Sequence, residues 1–271
     1  MVTTSGVKTR GGTRPRAAVP LESKGTAPPT LPAALAVHAA TLRTHRGQTI
    51  ALTVDGSETA LIVRSGILTL HLTMAEGLRQ VVAILYPGDV LRSAFAPPHA
   101  ASTLTVASAG EIWRLRSSAF EELAASDPGI ARYYKEAVSN QMARQAIHLA
   151  AIGRFDCEQL VTTLFIELAL RTGVPFPGGG LMFDMPLSRK DAADYLGLNA
   201  DTLSRTMSRL RAAGLISHGE RNHAVVCDFH ALAALSPAAQ SLFELHGDRS
   251  GASPCCTPCD RSCTLRGKER T

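Results

Sequence analysis

Two groups of residues in this 271-residue chain have types and spacings that could do chemistry. The first is Asp201, Ser204 and Arg205, in the stretch GLNADTLSR (197–205). Residues at i, i+3 and i+4 share a helical face, so an acid, a hydroxyl and a guanidinium aim at one spot. Such a surface suits base edges. Arginine bridges guanine O6 and N7, a carboxylate accepts from cytosine N4, and a hydroxyl serves base or phosphate. The second group is SPCCTPCDRSC (253–263), where Cys255, Cys256, Cys259 and Cys263 stand in a C-C-x2-C-x3-C spacing. Thiolates this close reach a single ion or cluster, and sulfur ligands favour zinc or Fe–S. A disulfide switch and an idle tail are the other readings, because short cysteine motifs do not fix the metal.

The elements around the first group say what it is for. At 100° per residue, Leu203, Met207 and Leu210 share one face of the helix that follows Asn199. Asp201, Ser204, Arg205, Ser208 and Arg209 gather within roughly 140° on the opposite side. Upstream, Ser188 opens another helix with Asp191 at the capping-box position. Ala192, Ala193 and Leu196 give that helix a small-residue face for a close crossing. Gly197 makes the turn, Asn199 caps the second helix and Gly214 ends it. LISHGERNHAVVCDF then predicts two short strands around residues 219–222. Helix, short turn, helix and hairpin outline a winged helix-turn-helix, whose second helix enters the major groove of double-stranded DNA. Candidate DNA contacts are Asp201, Ser204, Arg205, Ser208 and Arg209, with Ser188 and Arg189 at the start of the first helix. A solvated polar face is the bland alternative for so short a segment. His218 and His223 in the hairpin are expected to meet phosphate or solvent rather than a metal.

The rest of the chain must carry and position this unit. From about 42 to 116, short strand-like runs are broken by turn residues, including Asp55-Gly56 and Pro87-Gly88-Asp89. That pattern predicts an antiparallel sandwich or barrel. SSAFEELAASDP reads as a short helix. A long helix follows from Pro128 to about Gly153, apolar at Ile130, Tyr133, Tyr134, Ala137, Val138, Met142, Ile147 and Ala151. The spacing is too irregular for a strict coiled coil, yet a one-sided apolar stripe needs a partner. That partner is either its own β domain or a twin in a dimer. Asp156 caps the next helix, CEQLVTTLFIELALRTG, which stops at Gly173, and PFPGGG is a loop. Trp113, Tyr133 and Tyr134 read as packing residues.

Length allows two domains, each with its own core. Hydrophobic residues at 45% and charged residues at 19% are ordinary for a soluble protein, and no apolar run is long enough to span a membrane. The net charge of +5 is concentrated at the ends and around the GLNADTLSR helix, with five basic side chains against one acid in 1–30. That segment reads as a disordered basic tail rather than a secretion signal. Crowded cysteines without such a signal argue for a reducing compartment, so a cytoplasmic location is expected. No nucleophile–base pair or phosphate loop appears, and an enzyme is not expected.

LSRKDAADYLGLNADTLSRTMSRLRAAGLI (187–216) resembles the DNA-binding motif of the Crp/Fnr family of bacterial transcription regulators. It is most similar to the Fnr and FixK branch, whose pattern runs DYLGLT-x-ET-x-SR. The resemblance spans about 42–235 and follows the family order: a β-roll with its PGD turn, the AFEEL helix, a long helix containing QMAR, a hinge and the winged unit. It implies an α+β fold: an N-terminal antiparallel β-roll of the cyclic-nucleotide-binding jelly-roll type, a long dimerisation helix and a C-terminal winged helix-turn-helix. The division expected is a tail at 1–30, a β-roll at 31–127, the dimerisation helix at 128–155, the DNA-binding domain at 156–245 and a cysteine-rich tail at 246–271.

Further expectations follow from the family. The chain would act as a homodimer on a palindromic site and work with RNA polymerase. In the Fnr branch a Glu, a Ser and an Arg read a TTGA-type half-site, and these positions fall on Asp201, Ser204 and Arg205. Aspartate stands where the branch has glutamate, one methylene shorter. Cyclic-nucleotide members carry a Gly-Glu contact and an Arg-Ser pair in the β-roll. Here GDVLRSAFAPPHAASTLTV (88–106) lacks the glutamate and places Arg92-Ser93 just after the turn, so cyclic-nucleotide binding is not expected. Fnr-branch cysteines precede the β-roll, but residues 1–41 contain none. The C-terminal group resembles in layout, though not in spacing, that of Bacillus-type Fnr proteins. It implies a [4Fe–4S] cluster on Cys256, Cys259 and Cys263, sensing oxygen or redox state. Cys255, Asp156, Cys157 and Cys227 are the alternatives for a fourth ligand, and zinc or no metal is the alternative to the cluster. The rival readings of the whole chain are a metal-handling or electron-transfer protein with a vestigial helix-turn-helix, and a regulator responding to a small molecule or haem in the β-roll.

Overall fold

The computed structural model of the chain describes residues 31–74, 77–93, 101–176, 179–219 and 223–246. The basic segment 1–30 and the cysteines at 255–263 lie outside the described residues, as do 220–222 of the hairpin turn.

After α1 (Ala33–His38), the strand-like half forms one antiparallel sheet of β1 (Ala40–Thr44), β2 (Thr49–Ile50), β3 (Thr53–Val54), β4 (Ser57–Thr73), β5 (Arg79–Leu85), β6 (Val90–Arg92) and β7 (Ala101–Arg116). Its path is β1-β7-β4-β3, with β2 on β7 and with β5 and β6 on β4. The long β4 and β7 pair from Thr59↔Arg116 to Thr73↔Ala101, with register shifts between Val63 and Leu68. At that bend the backbones nearly touch. A Cβ on Gly66 would lie 2.5 Å from the Ser108 carbonyl oxygen, and one on Gly110 would lie 2.1 Å from that of Ser65. Only glycine permits this approach.

The strand β4 does not alternate strictly between buried and exposed residues, since Thr59 to Val63 are all buried in succession. The sheet has a core on both faces. Ala60 and Ile62 pack with Trp113, Leu115, Phe120, Ile130 and Tyr133 beneath two helices, while Leu61 and Val63 join Leu104 and Ile112 inside the roll. Those helices are α2 (Ser117–Ser126) and α3 (Pro128–Arg154). Asp127 caps α3 by accepting from the Gly129 and Ile130 N–H groups at 2.7 and 3.3 Å, with Pro128 opening the helix.

Both partners considered for α3 have a face. Ile130, Tyr133, Ala137, Arg144 and Ala151 are buried against the chain's own core. Met142, Leu149 and Ile152 are 67%, 73% and 40% exposed. With Val138 and Gln145, which donates to the Val82 carbonyl at 3.1 Å, they follow a 4-3-4-3 spacing along one side of α3. Ile147 is off this line and packs on the core.

The C-terminal half holds α4 (Cys157–Thr172), β8 (Val174–Pro175), β9 (Leu181–Asp184), α5 (Arg189–Leu196), α6 (Ala200–Ala212), β10 (Ile216–His218), β11 (His223–Val226), α7 (Phe229–Ala234) and α8 (Ala239–His246). Asp156 caps α4 in a full capping box with Gln159. The segment between α4 and α5 is more than a loop. β9 pairs with β11 and β8 with β9, widening the hairpin into a four-stranded sheet in the order β10-β11-β9-β8. A lone hairpin is marginal, and the added strands satisfy the open edge of β11.

Two separate cores are not what forms. The largest cluster runs from Ile67, Val81, Ile84 and Tyr86 of the roll through Ala151 of α3 to Leu164, Phe165 and Leu168 of α4 and onward to Leu196 and Leu203. Among the described residues no helix is long and apolar enough to cross a membrane.

Candidate nucleic-acid interface

The two helices α5 and α6 are fixed by their ends. Ser188 Oγ accepts from the Asp191 N–H at 3.0 Å, and Asn199 Oδ1 accepts from the Thr202 N–H at 2.7 Å. Between the helices Gly197 sits at φ 64°, a left-handed position favouring glycine, and the Leu198 N–H returns to the Ala193 carbonyl at 2.9 Å. The crossing is close because Ala192 and Ala193 are small and buried, and Leu203, Thr206 and Leu210 turn inward. The capping box expected at Ser188 is only half made. The Asp191 carboxylate takes the Ser188 hydroxyl proton at 2.6 Å and an Arg79 guanidinium at 2.7 Å instead of the Ser188 N–H. Against the pull of burial, those two donors hold the Asp191 carboxyl below its usual range.

The outward face of α6 presents the expected residues. Asp201, Arg205, Ser208 and Arg209 are exposed and Ser204 is half-buried. Arg209 donates from Nη2 to Thr206 Oγ1 at 3.3 Å. Among the described residues Asp201, Ser204 and Arg205 make no side-chain hydrogen bond or ion pair, so this face carries hydrogen-bonding capacity that the fold does not use. Arg189 is exposed at the first turn of α5, whereas the Ser188 hydroxyl is already engaged twice. His223 is tied across the wing sheet, its Nε2 2.9 Å from Asp184, while His218 stays exposed.

The unit is bolted to the roll at its back. Arg79 of β5 reaches Asp191 and, at 3.2 Å, Asp194. Gln80 donates to the Asp194 carbonyl, and Arg46 donates to the Pro186 carbonyl at 3.3 Å. Tyr195 stacks on His148 of α3, with centroids 3.8 Å apart and planes 7° apart. Burial lowers His148 to about 4. None of these contacts was legible in the sequence, since their partners are far apart in the chain.

The other candidates divide. Arg92 pairs with Glu121 of α2, so the Arg-Ser pair after the PGD turn pins a helix. Trp113 and Tyr133 are buried, with Arg64 over the Trp113 ring at 4.9 Å, and Tyr134 packs edge-on to Phe120. Asp156 Oδ1 accepts from both Glu158 and Gln159 N–H at 2.9 Å, as a helix cap. Cys157 is half-buried and Cys227 exposed. Among the described residues no three His, Cys, Asp or Glu side chains gather to hold a metal, and Cys255, Cys256, Cys259 and Cys263 lie outside them.

Known proteins align with this arrangement. The family model for a Crp-like helix-turn-helix domain matches residues 160–235, and that for a cyclic nucleotide-binding domain matches 41–127. The transcriptional activator protein FnrL of Cereibacter sphaeroides is 30% identical over 188 residues, which cover 68% of this chain and 75% of that protein. The nitrogen fixation regulation protein FixK of Azorhizobium caulinodans is 28% identical over 179 residues, covering 66% and 72%. Among solved structures, FixK2 from Bradyrhizobium japonicum aligns with a TM-score of 0.61 at 24% identity, over 74% of this chain and 98% of that one. A CooA mutant from Carboxydothermus hydrogenoformans aligns with a TM-score of 0.58 at 15% identity, over 74% and 88%.

Proposed function

The chain belongs to the Crp/Fnr family of transcription regulators, near its FixK and Fnr branch, and from that premise we propose that it reads a palindromic TTGA-type DNA site as a homodimer. The observation that carries the reading is the outward face of α6, where Asp201, Ser204 and Arg205 have no side-chain partner among the described residues. Arg205 takes a guanine, Asp201 the N4 of a cytosine and Ser204 a base or phosphate, while Arg189 and Arg209 flank them on the backbone. Two copies joined along Met142, Leu149 and Ile152 would present two α6 helices to half-sites about one DNA turn apart. The family resemblance adds RNA polymerase as the partner that reads the bound dimer.

Selection from a random DNA pool tests this. The expected product is a two-fold symmetric site with a TTGA-type half, and enrichment of a single asymmetric half-site would contradict it.

The input we assign to the C-terminal thiols. Cys256, Cys259 and Cys263 would hold a [4Fe–4S] cluster, which when bound supplies an oxygen- and redox-sensitive centre. Cys157 at the first turn of α4 and exposed Cys227 are the described thiols open to a fourth ligand role, because Asp156 already serves as a cap. Protein purified without air should contain iron and sulfide and absorb in the visible. Air should bleach that absorption and lower DNA affinity together, and Cys259→Ala should mimic air. Iron-loaded protein with equal affinity in both atmospheres would remove the sensing role, and zinc in place of iron would make the tail structural.

A further inference from the structure

Four charged side chains from three separate segments meet away from water. They are Asp89 in the PGD turn of the roll, Arg144 in the middle of α3, and Glu167 and Arg171 on α4, with exposures of 3%, 7%, 6% and 9%. The Asp89 carboxylate accepts from Arg144 Nη2, and its other oxygen lies 3.7 Å from Arg171 Nη2. Arg144 Nε is 4.0 Å from Glu167 Oε1. The turn itself is gripped by both helices. Arg171 donates to the Pro87 carbonyl at 3.1 Å and Tyr133 of α3 donates to the Gly88 carbonyl at 3.0 Å. Both guanidiniums lie over the Tyr86 ring, at 5.5 and 4.8 Å from its centroid.

A buried ionic group of this kind is poor glue but a strict gauge. Desolvating each charge cancels much of the attraction, and moving one partner strands the others without counter-charge or water. A small slide of α4 along the turn therefore has no intermediate resting place. Either the cluster is closed, or the seam opens far enough for water to solvate it. Packed seams with two such conditions convert small shifts into discrete ones.

We propose that Asp89, Arg144, Glu167 and Arg171 form an interdomain latch that sets the orientation of α5 and α6 on the roll and carries changes at the PGD turn to them. The α4 helix is the lever, since its apolar face shares one core with Leu196 and Leu203 of the DNA-contacting pair. A signal acting on the roll shifts DNA affinity only by its preference between the latched and open arrangements. The latch rests on the DNA-binding reading for its output, not for its existence.

Two near-isosteric variants of the full chain, Asp89→Asn on the roll and Glu167→Gln on α4, separate these points. Hydrogen exchange read by mass spectrometry should rise across the seam in each. Residues 189–212 should loosen in Asp89→Asn and residues 79–92 in Glu167→Gln, while β1 stays protected. A purely local role would confine each effect to the half that carries the change, and that result overturns the latch. Affinity for the selected site should shift by about fivefold or more in both variants, the scale of ordinary site-to-site coupling. Reciprocal exchange effects with affinity unchanged would overturn the transmission to DNA. Failure of the wild type to bind any site would instead count against the DNA reading, and the exchange arm would still decide the latch.

Discussion

Arg205 is exposed on α6 and makes no ion pair among the described residues, so its removal should leave the fold as it is. We expect Arg205→Ala to leave stability within about 0.5 kcal/mol, the range of surface changes. Specific DNA binding should weaken by about 1–3 kcal/mol and preference should relax at one G·C pair in each half-site. Unchanged selection from a random pool would place the base-reading face elsewhere. His148 tells the opposite story, because its ring is used inside the fold. Burial holds it at about 4 against an ordinary value of 6.5, so the neutral, Tyr195-stacked ring supports the fold fully above pH 6.5. That support fades as the pH falls toward 4, by up to about 3 kcal/mol. His71, lowered first by burial and then by Arg79, tilts the same way. Glu167, raised by burial against Arg144 and Arg171, tilts the other way. The clean measurement is therefore a comparison. His148→Phe keeps a stackable ring, and its melting temperature should fall less than the wild type's between pH 7 and pH 4.5. Parallel falls would mean the imidazole is not buried neutral.

The long helix α3 carries two apolar stripes, one buried and one exposed. Its sequence pattern looked irregular because two stripes overlap in it. Ile130, Tyr133, Ala137 and Ala151 face the chain's own core, and Met142, Leu149 and Ile152 face out. Left bare, the second stripe would be an exposed apolar patch, which soluble proteins cover. Met142→Glu with Leu149→Glu should give monomers by sedimentation and abolish binding to the two-fold site, with the monomer fold intact by circular dichroism. A charge at Ile147 is not an equivalent test, since that residue packs on the core and would disturb folding first. A dimer that survives both glutamates would show that the seam lies elsewhere.

At the scale of the molecule, the roll and the DNA-binding unit share a core and are tied by Arg46, Arg79 and the buried charges, so neither half has a free inner face. The chain is needed as far as α8. Leu242 and Phe243 are 1% and 3% exposed, and α8 packs with α4 and α7. Truncation after Ala238 removes these side chains from the core, at a cost on the order of 2–5 kcal/mol for each large apolar residue lost. Truncation after His246 removes only 247–271, with Cys255, Cys256, Cys259 and Cys263, and leaves Cys157 and Cys227 in place. The shorter-tailed protein should melt within a few degrees of the full chain and bind DNA alike in air and without it. A large loss of stability on removing 247–271 would mean the tail packs on the body.

The sequence by itself settled whatever depends on local spacing. The i, i+3, i+4 group on α6, the caps at Ser188 and Asn199, and the turn at Gly197 are all set by neighbours within a few residues. The order of elements was legible for the same reason. What the tertiary structure decided is which surfaces are hidden. Strand β9 was invisible because four residues after a glycine run carry too little pattern, and it forms only because β11 offers an edge. The two stripes of α3 separate only once the roll covers one of them. Asp89, Arg144, Glu167 and Arg171 looked like unrelated charges, 82 residues apart from first to last (89 to 171), and nothing local obliges them to meet. They meet because the apolar faces of β5, α3 and α4 close over one core, and burial then forces each charge to find its opposite.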